Sequence, residues 1–280
     1  MDIRDYLDLA PWEWPENAGD FFYSILEDRT AEESDRIIAA DLAGDLVVIN
    51  DKLAEKLISI ACNNDESDEM RGQAAVSLGP ALENAFMMEF DDPDDILISE
   101  ETFHMIEEAL KGLFMNMELS KQLRRMALEA SIRSPQDWHR EAIQTAYHTD
   151  DEEWKLTSVF CMRFVKGFNK QIIDELNNPD PNIQYQAICA AGNWEVKEAE
   201  SVIGHILTTP GMDKDLVLAA IESVVGVCPE KAPQILDNLL ISDDEDIVDT
   251  VHETMALSGW SSDFDDDWEE EDDDKEGYLH

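Results

Sequence analysis

The sequence predicts an all-α fold, an α-solenoid of about seven helix pairs. Three observations lead there. One short amphipathic pattern recurs along most of the chain. Its period is near 31 residues, the length of one helix pair. No alternating apolar–polar run long enough for a strand occurs.

The pattern is clearest at Asp180 to Gly192. Pro179 and Pro181 break the chain, and Asp180 can accept from the free amides of a helix start. Ile183, Ala187, Ile188 and Ala191 follow at helical spacing, and Gly192 is expected to end the helix. With Ile183 as anchor, its equivalents are Asp35, Met70, Leu123, Trp154, Leu216 and Ile247, of which Asp35 is a polar exception. Four positions after each anchor stands Ala39, Ala74, Ala127, Ser158, Ala187, Ala220 or Val251, small or branched residues that let helices approach closely. Three positions before it the last four units carry Asp151, Asp180, Asp213 and Asp244, each an expected N-cap. Gly44, Gly79 and Gly192 are expected to close three of these second helices.

Taken in order, residues 1–30 differ from the rest. Pro11, Trp12, Trp14, Pro15, Phe21, Phe22 and Tyr23 cluster there, as in a cap over the end of an array or a docking peptide. Residues 31–258 form the array. First helices of its pairs are expected near residues 50–61, 101–113, 138–147, 170–176, 198–207 and 232–240. The apolar run Leu46-Val47-Val48-Ile49 is ambiguous alone, and its helical neighbours favour helix. Residues 259–280 form an acidic tail.

The pattern resembles the HEAT-repeat superfamily, most closely its short variant of about 30 residues, found in phycobilisome lyases and many bacterial proteins. The family's second helix opens with Asp, two variable residues, an aliphatic residue and Arg, then small residues, then Leu-Gly. Asp180-Pro-Asn-Ile183 matches with Gln184 in the Arg place, and Met70-Arg71 through Leu78-Gly79 matches both ends. Arg36, Arg124 and Lys155 keep a cation at that position, whereas Val217 and Val248 do not. The resemblance implies a right-handed superhelix whose second helices line a concave face, a form that usually holds other proteins.

Composition bounds the function. Asp and Glu number 65 against 20 Lys and Arg, a net charge of -45. That balance opposes direct binding to nucleic acid or to an anionic membrane, where cations must neutralise phosphates. It favours a basic protein partner, or only solubility. No apolar run reaches the roughly 18 residues of a membrane span, and Met1 to Asp8 lacks the pattern of a secretory leader. A cytoplasmic protein is expected. Cys62, Cys161, Cys189 and Cys228 form no Cys-x-x-Cys pair and read as small core residues. The six histidines form no metal motif, and no phosphate loop or nucleophile elbow is present. No catalytic residue, cofactor or metal is expected.

Candidate partner-binding residues fall where the repeat is interrupted or its charge changes. The spacing from Met70 to Leu123 exceeds the period by about 22 residues. The excess holds Met87, Met88 and Phe90 beside acidic residues, either a solvated loop or a grip for a basic, apolar peptide. An EF-hand calcium loop is a weaker reading, because its glycine and spacing are missing. Residues 119–170 carry a local excess of cations, including Arg124, Arg125, Lys155 and Arg163. They make a solvated face, a patch for an acidic partner, or a seat for the tail. In the tail, Phe264 and Trp268 are the two non-acidic residues between Asp263 and Asp274. That segment is a solubilising arm or an anionic shield for a basic partner. The function expected is therefore a non-enzymatic protein–protein interaction scaffold or adaptor. The alternatives are an acidic chaperone or nucleic-acid mimic sequestering a basic protein, and a lyase-type enzyme subunit.

Overall fold

The computed structural model describes residues 2–90 and 96–259. Among these residues it is all-α, and it divides into two units, residues 1–168 and 169–280.

In the first unit, two short 3-10 segments, Ile3–Asp8 and Pro11–Glu13, precede nine α-helices. These are α1 (Ala18–Glu27), α2 (Glu33–Ala43), α3 (Asp51–Ala61), α4 (Asp68–Val76), α5 (Gly79–Met88), α6 (Glu100–Met115), α7 (Lys121–Ser131), α8 (Asp137–Tyr147) and α9 (Glu152–Cys161). Helix α1 pairs with α2, α3 with α4, α6 with α7 and α8 with α9. The second helices α2, α4, α7 and α9 pack serially on one another, and the first helices α1, α3 and α6 do the same. The second unit holds α10 (Asn169–Glu175), α11 (Pro181–Asn193), α12 (Glu200–Thr208), α13 (Lys214–Val227), α14 (Ala232–Asp237) and α15 (Glu245–Leu257). They form the pairs α10–α11, α12–α13 and α14–α15, with α11, α13 and α15 in series. Consecutive helix pairs stacked through their second helices are the arrangement that HEAT-like repeats imply.

The repeat register explains the core. Ala39, Ala74, Ala127, Ser158, Ala187, Ala220 and Val251, four residues past each anchor, are all fully buried. So are the anchors Met70, Leu123 and Ile183. The exception at Asp35 has a local cause: its carboxylate accepts from Arg4 of the N-terminal segment at 2.8 Å. Asp151, Asp180, Asp213 and Asp244 cap as expected, each accepting from an amide two residues on. Ser67 and Ser120 occupy the same position in earlier repeats and accept from Met70 N and Leu123 N. A hydroxyl thus does the work of the later carboxylates.

Several expectations are corrected. The excess between Met70 and Leu123 is mainly a helix, α5, packed on α6 and α7. Gly79 opens that helix and does not close α4. Pro80 at the second position has no amide to leave unsatisfied, so Gly79-Pro80 starts a helix. Gly192 lies inside α11, which runs on to Asn193. It is there because a Cβ would sit 2.8 Å from the Ser223 Cα on α13. A Cβ on Gly44, which does cap α2, would meet the Ser77 carbonyl oxygen of the next repeat at 2.2 Å. Residues 46–48 form a turn rather than helix, pinned by the Val47 amide donating to Asp45 at 2.8 Å. Cys62 is exposed at the C-cap of α3, where the chain leaves the core, whereas Cys161, Cys189 and Cys228 are buried.

Side-chain bridges between helices follow the same period. Arg36 holds Glu66, Gln73 donates to Asp41, Lys121 reaches Asp151, and Lys214 reaches Asp244. Each joins equivalent regions of neighbouring repeats within one unit.

Candidate functional site

The polar residues that follow three of the anchors turn inward. Arg71 Nε donates to Ala61 O at 3.0 Å, Arg124 Nε to Phe114 O at 2.9 Å, and Gln184 Nε2 to Leu176 O at 2.8 Å. In each case the residue after the anchor satisfies a carbonyl near the end of its own first helix, one that the helix leaves without an amide. Gln184 substitutes for arginine because the task needs a donor rather than a charge.

The other cations of residues 119–170 are also engaged. Arg125 Nε donates to Thr157 Oγ1 at 2.8 Å, and its guanidinium lies 3.4 Å from Glu153 and 3.7 Å from Glu129. Thr157 in turn donates to Glu129, whose pKa burial pushes up. Lys121 pairs with Asp151 and Glu153. Arg133 pairs with Glu83 and lies over Phe160 and Phe164, and Arg163 lies 5.7 Å from the Phe160 ring centre. Arg140 donates to Lys166 O at 2.8 Å and covers Phe168. Lys155 is half-buried with no ion pair among the described residues. The structure therefore brings Arg124, Arg125 and Arg163 into packing and hydrogen-bonding duties within the first unit, rather than into one open basic surface.

Of the insert, Met87 is 71% exposed and Met88 is also exposed, on the last turn of α5. Phe90 packs edge-on against Phe103 at 5.5 Å, after Glu89 and Phe90 take left-handed backbone angles that turn the chain. Phe90 is thus partly covered by Phe103, whereas the two methionines stay exposed. Phe264 and Trp268 lie outside the described residues.

A feature the sequence pattern did not single out lies in the second unit. Helices α11, α13 and α15 line an open groove of about 650 Å³. Its wall includes Tyr185 and Gln186 from α11, Leu218 and Glu222 from α13, and Thr250 from α15. Asp213 and Asp215 stand at the start of α13. Asp213 is occupied as an N-cap, accepting from Asp215 N and Leu216 N. Asp215 and Glu222 have no cationic partner among the described residues. Lys214, the nearest cation in sequence, is held by Asp246 and Asp244, whose hydrogen bonds push its pKa up to about 12. Several groove residues stand two, three or six places past an anchor: Tyr185, Gln186, Leu218, Ala219, Glu222 and Thr250.

Two further features bear on chemistry. His139 is fully buried in α8; its Nδ1 accepts from Gln136 N at 2.8 Å and its Nε2 lies 3.0 Å from Ser131 Oγ. Burial pushes its pKa down to about 4, so it is neutral and structural. The Cys161 thiol is pushed well above its ordinary pKa by burial, which leaves it without thiolate character. No helix among the described residues is long and apolar enough to cross a membrane.

No family model and no curated protein matches the chain. Solved structures resembling it include that of YibA from E. coli, 13% identical, with a TM-score of 0.47 over 88% of this chain and 92% of that one. Another is an engineered protein, 15% identical, with a TM-score of 0.40 over 74% of this chain and 98% of that one. The fold rests on the helix packing described above, not on these likenesses.

Proposed function

We propose that this chain is a non-enzymatic interaction scaffold whose groove along α11, α13 and α15 receives a basic segment of a partner protein. The observation that carries the reading is that Asp215 and Glu222, with no cationic partner among the described residues, line the same groove as Tyr185 and Leu218. Carboxylates of this kind attract Lys or Arg, while the tyrosine ring and leucine give an apolar residue between them a surface to cover. The net charge of -45 raises the local concentration of such a segment and speeds its encounter. Nucleic acid and anionic membranes are repelled by the same field.

The test is a titration of the full chain with a labelled peptide alternating Lys or Arg with Leu, at low and moderate salt. Glu222→Lys is expected to weaken binding about tenfold, the order of one charge pair at an interface. Glu55→Lys, the same charge change on α3, is expected to leave it within about twofold. Equal losses from the two variants would instead support sequestration of basic proteins by bulk charge. No saturable binding at either salt concentration would sink the reading.

A further inference from the structure

Three arginines hold the position after the anchor in the first unit, and one of them has no acid beside it among the described residues. Arg36 donates twice to Glu66, at 2.7 and 2.8 Å. Arg71 lies 3.8 Å from Asp68. Arg124 makes its backbone bond to Phe114 O, but no carboxylate pairs with it among the described residues. Glu66 raises the pKa of Arg36, whereas burial lowers that of Arg124 with no acidic neighbour to oppose it. In so acidic a chain, a half-buried guanidinium with no acid beside it among the described residues is unusual. Removing a charge from water is costly unless something replaces the water.

The surroundings replace part of it. The guanidinium carbon lies 5.5 Å from the ring centres of both Phe114 and Trp154, within cation–π range. It also borders a cavity of about 200 Å³, lined by Phe114, Met117, Trp154, Ala142, Thr145 and Thr149. Thr149 Oγ1 donates to Ala146 O at 2.8 Å, so its lone pairs remain available. Thr145 is exposed at the rim. Met117, 75% exposed, has no evident packing duty.

We propose that this cavity binds a small aryl carboxylate. The carboxylate would take the terminal nitrogens of Arg124 as a charge-assisted pair, and the ring would lie against Phe114, Trp154 and Met117. Size agrees with this ligand class, since an apolar cavity of about 150 Å³ accommodates benzene. A phosphate would find one arginine and no second donor cluster, and a cation would be repelled by Arg124. The site lies in the first unit and is independent of the groove in the second.

The experiment is calorimetric titration of the full chain with phenylacetate, phenylacetamide and phenethylamine. Saturable binding of phenylacetate alone is expected. Arg124→Gln should weaken it at least about tenfold, the scale of a charge-assisted hydrogen bond. Thr145→Glu, at an exposed position where the fold is undisturbed, should abolish it by supplying Arg124 with a carboxylate of the chain's own. Circular dichroism checks that both variants remain helical, and if Arg124→Gln unfolds, Thr145→Glu decides. Absence of saturable phenylacetate binding, equal binding of the amide, or undiminished binding to Thr145→Glu overturns the proposal.

Discussion

Two residues past the anchor, α7 carries Arg125, tied to Thr157, Glu129 and Glu153 of its own unit. At the same register α11 and α13 carry Tyr185 and Leu218, and Asp215 and Glu222 near them have no cation among the described residues. The packing that produces the two faces is common to both units. Small residues let second helices close up, caps start them, and a lysine two residues before the anchor reaches the next cap, as Lys121 does to Asp151 and Lys214 to Asp244. What differs is the residue type at outward register positions, which packing leaves free. On one face Arg125 is engaged by Glu129, Glu153 and Thr157, whereas on the other Asp215 and Glu222 have no cation among the described residues.

That contrast can be broken from either side. The largest expected effect falls on the first unit. The pKa of His139 is about 4 in the fold against an ordinary 6.5. The unfolded chain therefore binds the proton first, and the stabilisation, complete above pH 6.5, is lost as pH falls to 4. The shift corresponds to about 3 kcal/mol. Urea unfolding of the wild type and His139→Gln across that window should show a steeper loss in the former; parallel pH curves would refute it. In the second unit, Gly192→Val must push α13 away and should cost about 2 kcal/mol. Gly204→Ala, whose Cβ would meet nothing within 4 Å, should instead stabilise by about 0.5–1 kcal/mol. If both changes stabilise, helix propensity rather than close approach governs these positions.

Smaller effects sharpen the electrostatic side. Arg125→Met leaves the Glu129 carboxylate half-buried without its cation and should cost about 1–2 kcal/mol. Glu222→Gln on the second face should lie within about 0.5 kcal/mol of wild type in the same denaturation assay, because nothing there depends on it. Ser120→Ala and Asp213→Ala should each lose about 1 kcal/mol. A clear difference between these two caps would show that carboxylate and hydroxyl are not interchangeable in this fold.

The helix pairs were legible because repetition averages out local ambiguity. Ile183 alone marks one helix, but with six equivalents in register it marks a packing plan, and Asp213 and Asp244 follow from it. The places where the reading failed are those where one residue serves two physical ends. Gly79-Pro80 suits a stop as well as a start, and only the packing of α5 on α6 and α7 decides. Gly192 suits a helix end as well as a close approach, and Ser223, which decides, is 31 residues away in sequence. The site was less legible. Arg124 and Arg125 stood out by charge, yet what a cation does depends on its neighbours: Glu153 and Thr157 occupy Arg125, while Arg124 meets two rings and a cavity. The groove in the second unit was hidden because Tyr185, Leu218 and Glu222 are ordinary residues until the register places them together.

The bridges that span one period bear on how the chain reaches its structure. Lys121 to Asp151, Arg36 to Glu66 and Lys214 to Asp244 each close a loop of one helix pair. Loops of that size cost little entropy to close, and a contact between neighbours does not wait for distant strands to meet. Folding can then begin at whichever pair forms first and spread outward by nearest-neighbour steps. On a ribosome, a completed pair gains its stabilising partner after about 30 more residues emerge, so apolar faces stay uncovered only briefly during synthesis.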